Sequence, residues 1–214
     1  GGGGRGGRGG GVKGGGGRGG RGAGGRVWGA ARGGDGARGE EKVAEDANPG
    51  NEFGAKVGLA WEAEAIKAEA LGVRVCRLRT GVVLAADGGA LAKMLPPFKF
   101  GLGGPMGDGK QWMSWITRHD LVRMIRWLAE TPSANGPCNG TAPNPVTNAD
   151  FADALATALH RPGIIRTPAI ALKLMFGEMA NMLLTGQRVV PERSTDQGFV
   201  FDHPELAGAL AALV

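Results

Sequence analysis

The chain has 214 residues, 42 of them Gly and 12 Pro, and carries 25 basic against 20 acidic side chains. Residues 1–39 hold 23 of the glycines together with seven Arg (5, 8, 18, 21, 26, 32 and 38), Lys13 and one acid, Asp35, a net charge of +7, whereas the other 175 residues carry −2. The basic character therefore belongs to one end and gives no ground for a polyanion partner of the rest, and the absence of Tyr excludes any mechanism that needs a phenol from this chain.

A stretch that is more than half Gly, with two or three apolar side chains, buries too little surface to offset an ordering entropy of roughly 1–2 kcal/mol per residue. Residues 1–39 are accordingly expected to be an unstructured tail. Its Arg-Gly-Gly triplets at 5–7, 8–10, 18–20 and 32–34 resemble segments that bind RNA by phosphate contact and Arg stacking. Such segments usually interleave aromatics, and only Trp28 is available here; a translated GC-rich low-complexity stretch has the same composition. The start has neither the apolar core of a secretory signal nor the Ser content of a transit peptide. With Gly1 first and the first Met at position 94, the chain is expected to be a fragment.

After an acidic loop (Glu40, Glu41, Glu45, Asp46) and the turn signal Asn48-Pro49-Gly50-Asn51, the Ala-, Glu- and Lys-rich segment from Phe53 to Leu71 reads as a helix stopped by Gly72. Val73 to Leu84 has β-branched residues without a helical period, which predicts a strand, with Gly81 letting backbone approach a neighbour closely. Met94 to Trp115, with Pro96, Pro97 and glycines at 101, 103, 104, 107 and 109, predicts a long functional loop. Asp120–Thr131 returns to helix with Leu121, Met124, Ile125 and Leu128 on one face. A short strand at Asn139–Ala142 follows, then a helix from Ala149 to Leu159 capped by Thr147 or Asn148 and ended by His160-Arg161-Pro162-Gly163. Ala169–Met182 is helical with a break at Gly177, a turn surrounds Gly186, Phe199–Phe201 reads as a short strand, and Pro204–Val214 as a helix. The order is α/β followed by mostly α. The longest apolar region, Ala169 to Leu184, is too short and, with Lys173 and Glu178, too charged to cross a bilayer.

Few residues stand out as chemistry. The run Gly101-x-Gly103-Gly104-x-x-Gly107 has dinucleotide-like spacing but neither follows a strand nor opens a helix, as a pyrophosphate cradle requires. His119, His160 and His203 lie apart at helix ends without metal-ligand spacing, so no metal site is expected. Ser114 is not in a GxSxG elbow. Lys56 has Glu52, not Tyr, four residues before it and reads as a solvated helix residue. Cys76 and Cys138 are too few for a disulfide framework and are expected to be buried thiols in a reducing compartment, cytoplasm or organelle stroma.

From about Gly39 onward the chain resembles the epimerase-type members of the extended short-chain dehydrogenase/reductase superfamily that carry a C-terminal domain of unknown function. The resemblance rests on Ala60-Trp61-Glu62-Ala63, Arg77-Leu78-Arg79-Thr80-Gly81-Val82-Val83-Leu84, Met94-Leu95-Pro96-Pro97-Phe98, Gly101-Leu102-Gly103-Gly104-Pro105-Met106-Gly107, Trp115-Ile116 with Asp120, Asn144-Pro145-Val146-Thr147-Asn148, His160-Arg161-Pro162, Gly186-Gln187-Arg188-Val189-Val190-Pro191 and Gly198-Phe199. It implies the C-terminal part of a doubly wound, NAD(P)-binding Rossmann-like sheet over residues 40–160 and a small, mostly helical lobe over 161–214. It also implies that Thr80, Gly81 and Val83 border the nicotinamide side of the cofactor, that the loop bearing Phe98, Gly104, Pro105 and Gln111 lines the substrate pocket, and that Asp120 caps its helix. No catalytic residue is assigned. The family's first half, with its strand, Gly-rich turn and helix, and its active-site Tyr have no counterpart in residues 1–39. The expected function is thus the C-terminal half of an NAD(P)-dependent epimerase or reductase, NAD(P) belonging to the intact family member and not to this chain alone. The substrate is an unassigned small molecule. The alternative is a Gly/Arg-rich RNA-binding or interaction protein on a retired enzyme domain.

Overall fold

The structure is a computed structural model that describes residues 25–30, 39–48, 50, 53–177 and 180–214. Its elements run β1 (Gly25–Ala30), β2 (Lys42–Val43), α1 (Phe53–Ile66) with a 3-10 turn at Lys67–Leu71, β3 (Val75–Thr80), β4 (Val82–Ala85) and α2 (Gly89–Lys99). There follow β5 (Trp112–Met113), β6 (Trp115–Thr117), α3 (Arg118–Glu130), β7 (Gly136–Gly140), β8 (Val146–Thr147), α4 (Asn148–Ala158), α5 (Ala169–Phe176), α6 (Ala180–Leu184), β9 (Arg188–Val189), α7 (Glu192–Asp196) and α8 (Leu206–Leu213).

The central sheet is parallel, in the order β1-β3-β7, with Gly25–Ala30 registered against Val75–Thr80 and Cys76–Thr80 against Gly136–Gly140. Parallel strands with helices on both faces make this an α/β, Rossmann-like layer. Most of the stretch expected to be unstructured lies outside the described residues, but Gly25–Ala30 departs from that expectation. Its backbone gains a full ladder with β3, so these residues are ordered by a partner about fifty positions away and not by their own apolar content.

Strand β3 carries two arginines, and the helix before it explains why they are tolerated. Glu62 of α1 is buried and takes Arg79 in a bidentate pair, Nε at 2.6 Å and Nη2 at 2.8 Å, with Arg77 Nη1 at 2.9 Å. A buried charge is stable only when paired and hydrogen-bonded. The opposite face, Cys76 and Leu78, packs on Leu121, Met124 and Leu128 of α3, the apolar stripe that the helical period predicted. The helix expected to run to Leu71 tightens into the 3-10 turn after Ile66, and the stop falls where expected: Gly72 adopts φ 77° and donates to the carbonyls of Ala68 and Glu69.

A second core joins β4 and β6 to α2, α4 and α8 through Leu84, Leu91, Leu95, Phe98, Trp115, Phe151, Leu155 and Leu210. Here the expected loop from Met94 is partly helix. Leu91, Leu95 and Phe98 recur at helical spacing and bury together, and this outweighs Pro96 and Pro97, whose missing N–H groups fall in the last turns of α2. The expected strand at Phe199–Phe201 does not form. Residues just beyond it donate their N–H groups to a side chain instead, Asp202 N and His203 N to the two oxygens of Asp120 at 3.0 and 2.9 Å. Asp120 is therefore not the cap of α3. Thr117 Oγ1 holds that position, accepting from Asp120 N at 3.1 Å, while the Asp120 carboxylate is fully buried as an anchor for the C-terminal segment. Thr147 caps α4 in a reciprocal box with Asp150, and the break expected in the C-terminal helix falls at Gly177, between α5 and α6.

Candidate functional site at the carboxyl end of β3

In an open parallel sheet, ligands bind beyond the carboxyl ends of the strands. At that end β3 stops at Thr80, and the chain turns at Gly81 into β4, so the predicted single strand is two. Gly81 N donates to Gly140 O at 3.1 Å and Val82 N to Ser114 O at 2.8 Å, transferring the chain from pairing with β7 to pairing with β6. A Cβ on Gly81 would overlap the Ser114 carbonyl and come within 2.8 Å of Thr141 Cγ2. The close approach inferred from sequence is thus to protein backbone.

The C-terminal lobe reaches the same point. Ser114 Oγ donates to Gln187 O at 2.7 Å and accepts from Val189 N at 2.8 Å. Gly186 lies directly on the backbone of Trp112, and the Arg188 guanidinium covers the Trp112 ring at 4.5 Å. Ser114, set aside as a nucleophile, is the pin between the 112–117 segment and the 186–189 segment. Four buried atoms here have no hydrogen-bond partner among the described residues: Thr80 Oγ1, Gln187 Nε2, Gln187 Oε1 and Arg188 Nε. Buried polar groups are almost always satisfied.

The predicted site residues divide. Thr80 and Gly81 meet at the strand end, whereas the half-buried Val83 side chain packs on the core under α3. Phe98 is buried in the second core, with Gly103 against its ring. Gly104 lies on the Ile165 backbone, and Pro105 O accepts from Thr167 N at 2.9 Å. Gln111 spends its amide on Met106 O at 3.1 Å and Leu183 O at 3.0 Å. These three hold the 101–111 segment against residues 163–184. Lys56 is exposed.

Two polar clusters lie elsewhere. Glu45, assigned to an acidic loop, is buried and accepts from Asn139 N and Arg193 N at 2.9 and 3.3 Å. It borders a cavity of about 230 Å³ lined with Asp46, Glu192, Arg193 and Asp196, in which Arg193 pairs with Asp46. One potential metal-ligating atom from each of His119, Asp120 and Asp202 falls within 4.8 Å of the others, a grouping that sequence separation concealed. Arg123 contacts both carboxylates at 3.0 Å and already supplies the positive charge. The hydrogen bond from His119, with desolvation opposing it, holds the Asp202 carboxyl below its ordinary range.

Comparison with known proteins connects this geometry to a family. Residues 167–213 match a domain of unknown function, DUF1731. The chain is 44% identical over 170 residues to a chloroplastic epimerase family protein SDR39U1 homolog of Arabidopsis thaliana, and 42% identical over 172 residues to mouse epimerase family protein SDR39U1. These matches cover 79% of this chain but 49% and 58% of the relatives. The structure of human epimerase family protein SDR39U1 with NADPH superimposes with a TM-score of 0.81 at 34% identity, covering 89% of this chain and 65% of the other. The chain belongs to the epimerase family of extended short-chain dehydrogenases/reductases. A nucleoside-diphosphate sugar epimerase from Corynebacterium glutamicum, at 30% identity and a TM-score of 0.68, covers 88% of this chain and 37% of that one. The family members matched are therefore longer, and this chain spans about half to three fifths of the relatives' length. Within that span, Thr80 brings to the carboxyl end of β3 a buried hydroxyl that has no hydrogen-bond partner among the described residues. β4 runs through Gly88 and Gly89 into α2, a turn without the GxGxxG spacing of a pyrophosphate cradle.

Proposed function

We propose that the chain supplies the nicotinamide- and substrate-facing part of an NAD(P)-dependent epimerase or reductase, with the pyrophosphate cradle and the general acid lying outside it. The observation that carries this reading is the buried Thr80 hydroxyl, without a partner among the described residues, beside Gly81 at the carboxyl end of a parallel sheet. Thr80, the Gly81 backbone and the backbone at Val83 border the nicotinamide, which when bound exchanges a hydride with the substrate carbon. Gly104, Pro105 and Gln111 brace the 101–111 segment over the substrate side, with Phe98 as the core beneath it. The substrate class to test first is a nucleoside-diphosphate sugar, as the name of the Corynebacterium relative suggests. The compartment is a reducing one, an organelle stroma being suggested by the chloroplastic relative, and no described helix is long and apolar enough to cross a membrane. Because the cradle and the acid are lacking, titration of this chain with NADPH is expected to give little fluorescence enhancement. Binding tighter than about 10 μM overturns the incomplete-half reading.

A second reading is favoured by the segregation of charge, eight basic side chains against one acid in residues 1–39: the Arg-Gly-Gly end binds RNA by phosphate contact. Deleting residues 1–24, which spares β1, is then expected to abolish salt-sensitive RNA binding in a filter assay. Equal binding by the two chains removes that role.

A further inference from the structure

Gln187 is 5% exposed, and neither the oxygen nor the nitrogen of its side-chain amide has a hydrogen-bond partner among the described residues. Buried polar groups left without hydrogen bonds destabilise a fold, so an apolar residue of the same shape would suit the folded chain better. The backbone of this residue is fixed: its carbonyl accepts from Ser114 Oγ at 2.7 Å, Gly186 lies against Trp112, and Val189 N reaches Ser114 Oγ. Ser114 O in turn receives Val82 N at 2.8 Å, next to Gly81. Gln187 is therefore held by the C-terminal lobe at the strand end where the Thr80 hydroxyl is also unpartnered.

We propose that the Gln187 carboxamide is a specificity-determining contact of that site, donating through Nε2 and accepting through Oε1 to a ligand group that offers an acceptor and a donor side by side. This rests on the reading of the site given above. A primary amide can be matched in this way by the carboxamide of a nicotinamide or by neighbouring hydroxyls of a sugar ring. The lobe closes over the ligand through this one amide, and the hydrogen bonds that the ligand makes relieve a cost the free protein carries.

The test uses the full chain and two variants, Gln187→Met and Gln187→Leu, which keep the bulk and remove both polar atoms. The probes are nicotinamide mononucleotide, which needs no pyrophosphate cradle, and UDP-glucose, each at millimolar concentration, followed by saturation-transfer NMR. Weakening of either probe by about tenfold, with the melting temperature of the ligand-free variants equal or higher, supports the proposal, and the probe affected identifies the source of the ligand group. Equal binding by all three chains overturns it, as does failure of both probes to bind the unsubstituted chain. A melting temperature lowered in both variants by more than about 3 °C overturns it too, because Gln187 then serves the fold. The underlying reading fails separately: tight NADPH binding strikes the incomplete-half assignment and leaves the comparison of variants intact.

Discussion

Gly81 has no room for a side chain, because a Cβ would overlap the Ser114 carbonyl and crowd Thr141. Neither neighbour can withdraw: Ser114 is pinned to Gln187 and Val189, and Thr141 is fully buried. Gly81→Ala is expected to lower stability by about 1–3 kcal/mol through overpacking, read as a shift in the urea midpoint at unchanged slope. The need for glycine was legible in the sequence, since Gly interrupting a β-branched run marks close approach, but the partner was not, since Ser114 and Thr141 are fixed only by the fold. Cys138 gives a residue-scale dependence on pH. Burial, reinforced by the nearby Glu45 charge, pushes its thiol from 9.0 up to about 12. The folded state then holds the proton more tightly than the unfolded chain, so this contribution is whole below pH 9 and is lost as pH rises from 9 toward 12. Cys138 is expected to resist iodoacetamide at pH 8 until the chain is unfolded, and mass spectrometry of the native digest checks this; alkylation at the rate of a free thiol refutes it.

The elements show which signals survive folding and which do not. Local rules worked for Gly72 at the end of the 3-10 turn after α1, for the Thr147 cap of α4 and for the break at Gly177, because each depends on residues within one turn. They failed at α2 and at Phe199–Phe201, because the deciding contacts are distant. Leu91, Leu95 and Phe98 find their partners in β4, β6 and α4, and the segment beyond Phe201 hands its N–H groups to Asp120, about eighty residues earlier. The same distance hid the role of Asp120, which the position at a helix head suggested as a cap. Its carboxylate joins α3 to the stretch before α8, so Asp120→Asn is expected to lose about 2–4 kcal/mol, leaving one backbone N–H poorly paired and Arg123 without a buried counter-charge. Chemical denaturation measures the loss, and limited proteolysis should place new cuts between residues 198 and 205. A stability change below about 0.5 kcal/mol with an unchanged digest overturns the anchor.

For the molecule as a whole, the decisive feature is where its Gly-rich end joins the sheet. Composition argued against order anywhere before Gly39, and it is indeed a poor guide to Gly25–Ala30, since a strand needs only a free ladder edge to pair with and no apolar content of its own. β3 offers that edge opposite β7, and in taking it β1 also covers what would otherwise be a template for association. Two truncations separate the strand from the charge that precedes it. Deleting residues 1–24 removes Arg5, Arg8, Arg18 and Arg21 and leaves the ladder, so thermal unfolding should stay within about 2 °C of the full chain. Deleting residues 1–30 strips several parallel ladder hydrogen bonds worth about 0.5–1.5 kcal/mol each, a loss of about 4–6 kcal/mol in all, or about 10–20 °C in melting temperature. Light scattering should rise at the same time as the β3 edge becomes exposed. If the two truncated chains melt together and neither aggregates, β1 is not part of the folded unit, and the sheet stands on β3 and β7 with the buried Glu62–Arg79 pair as its cover.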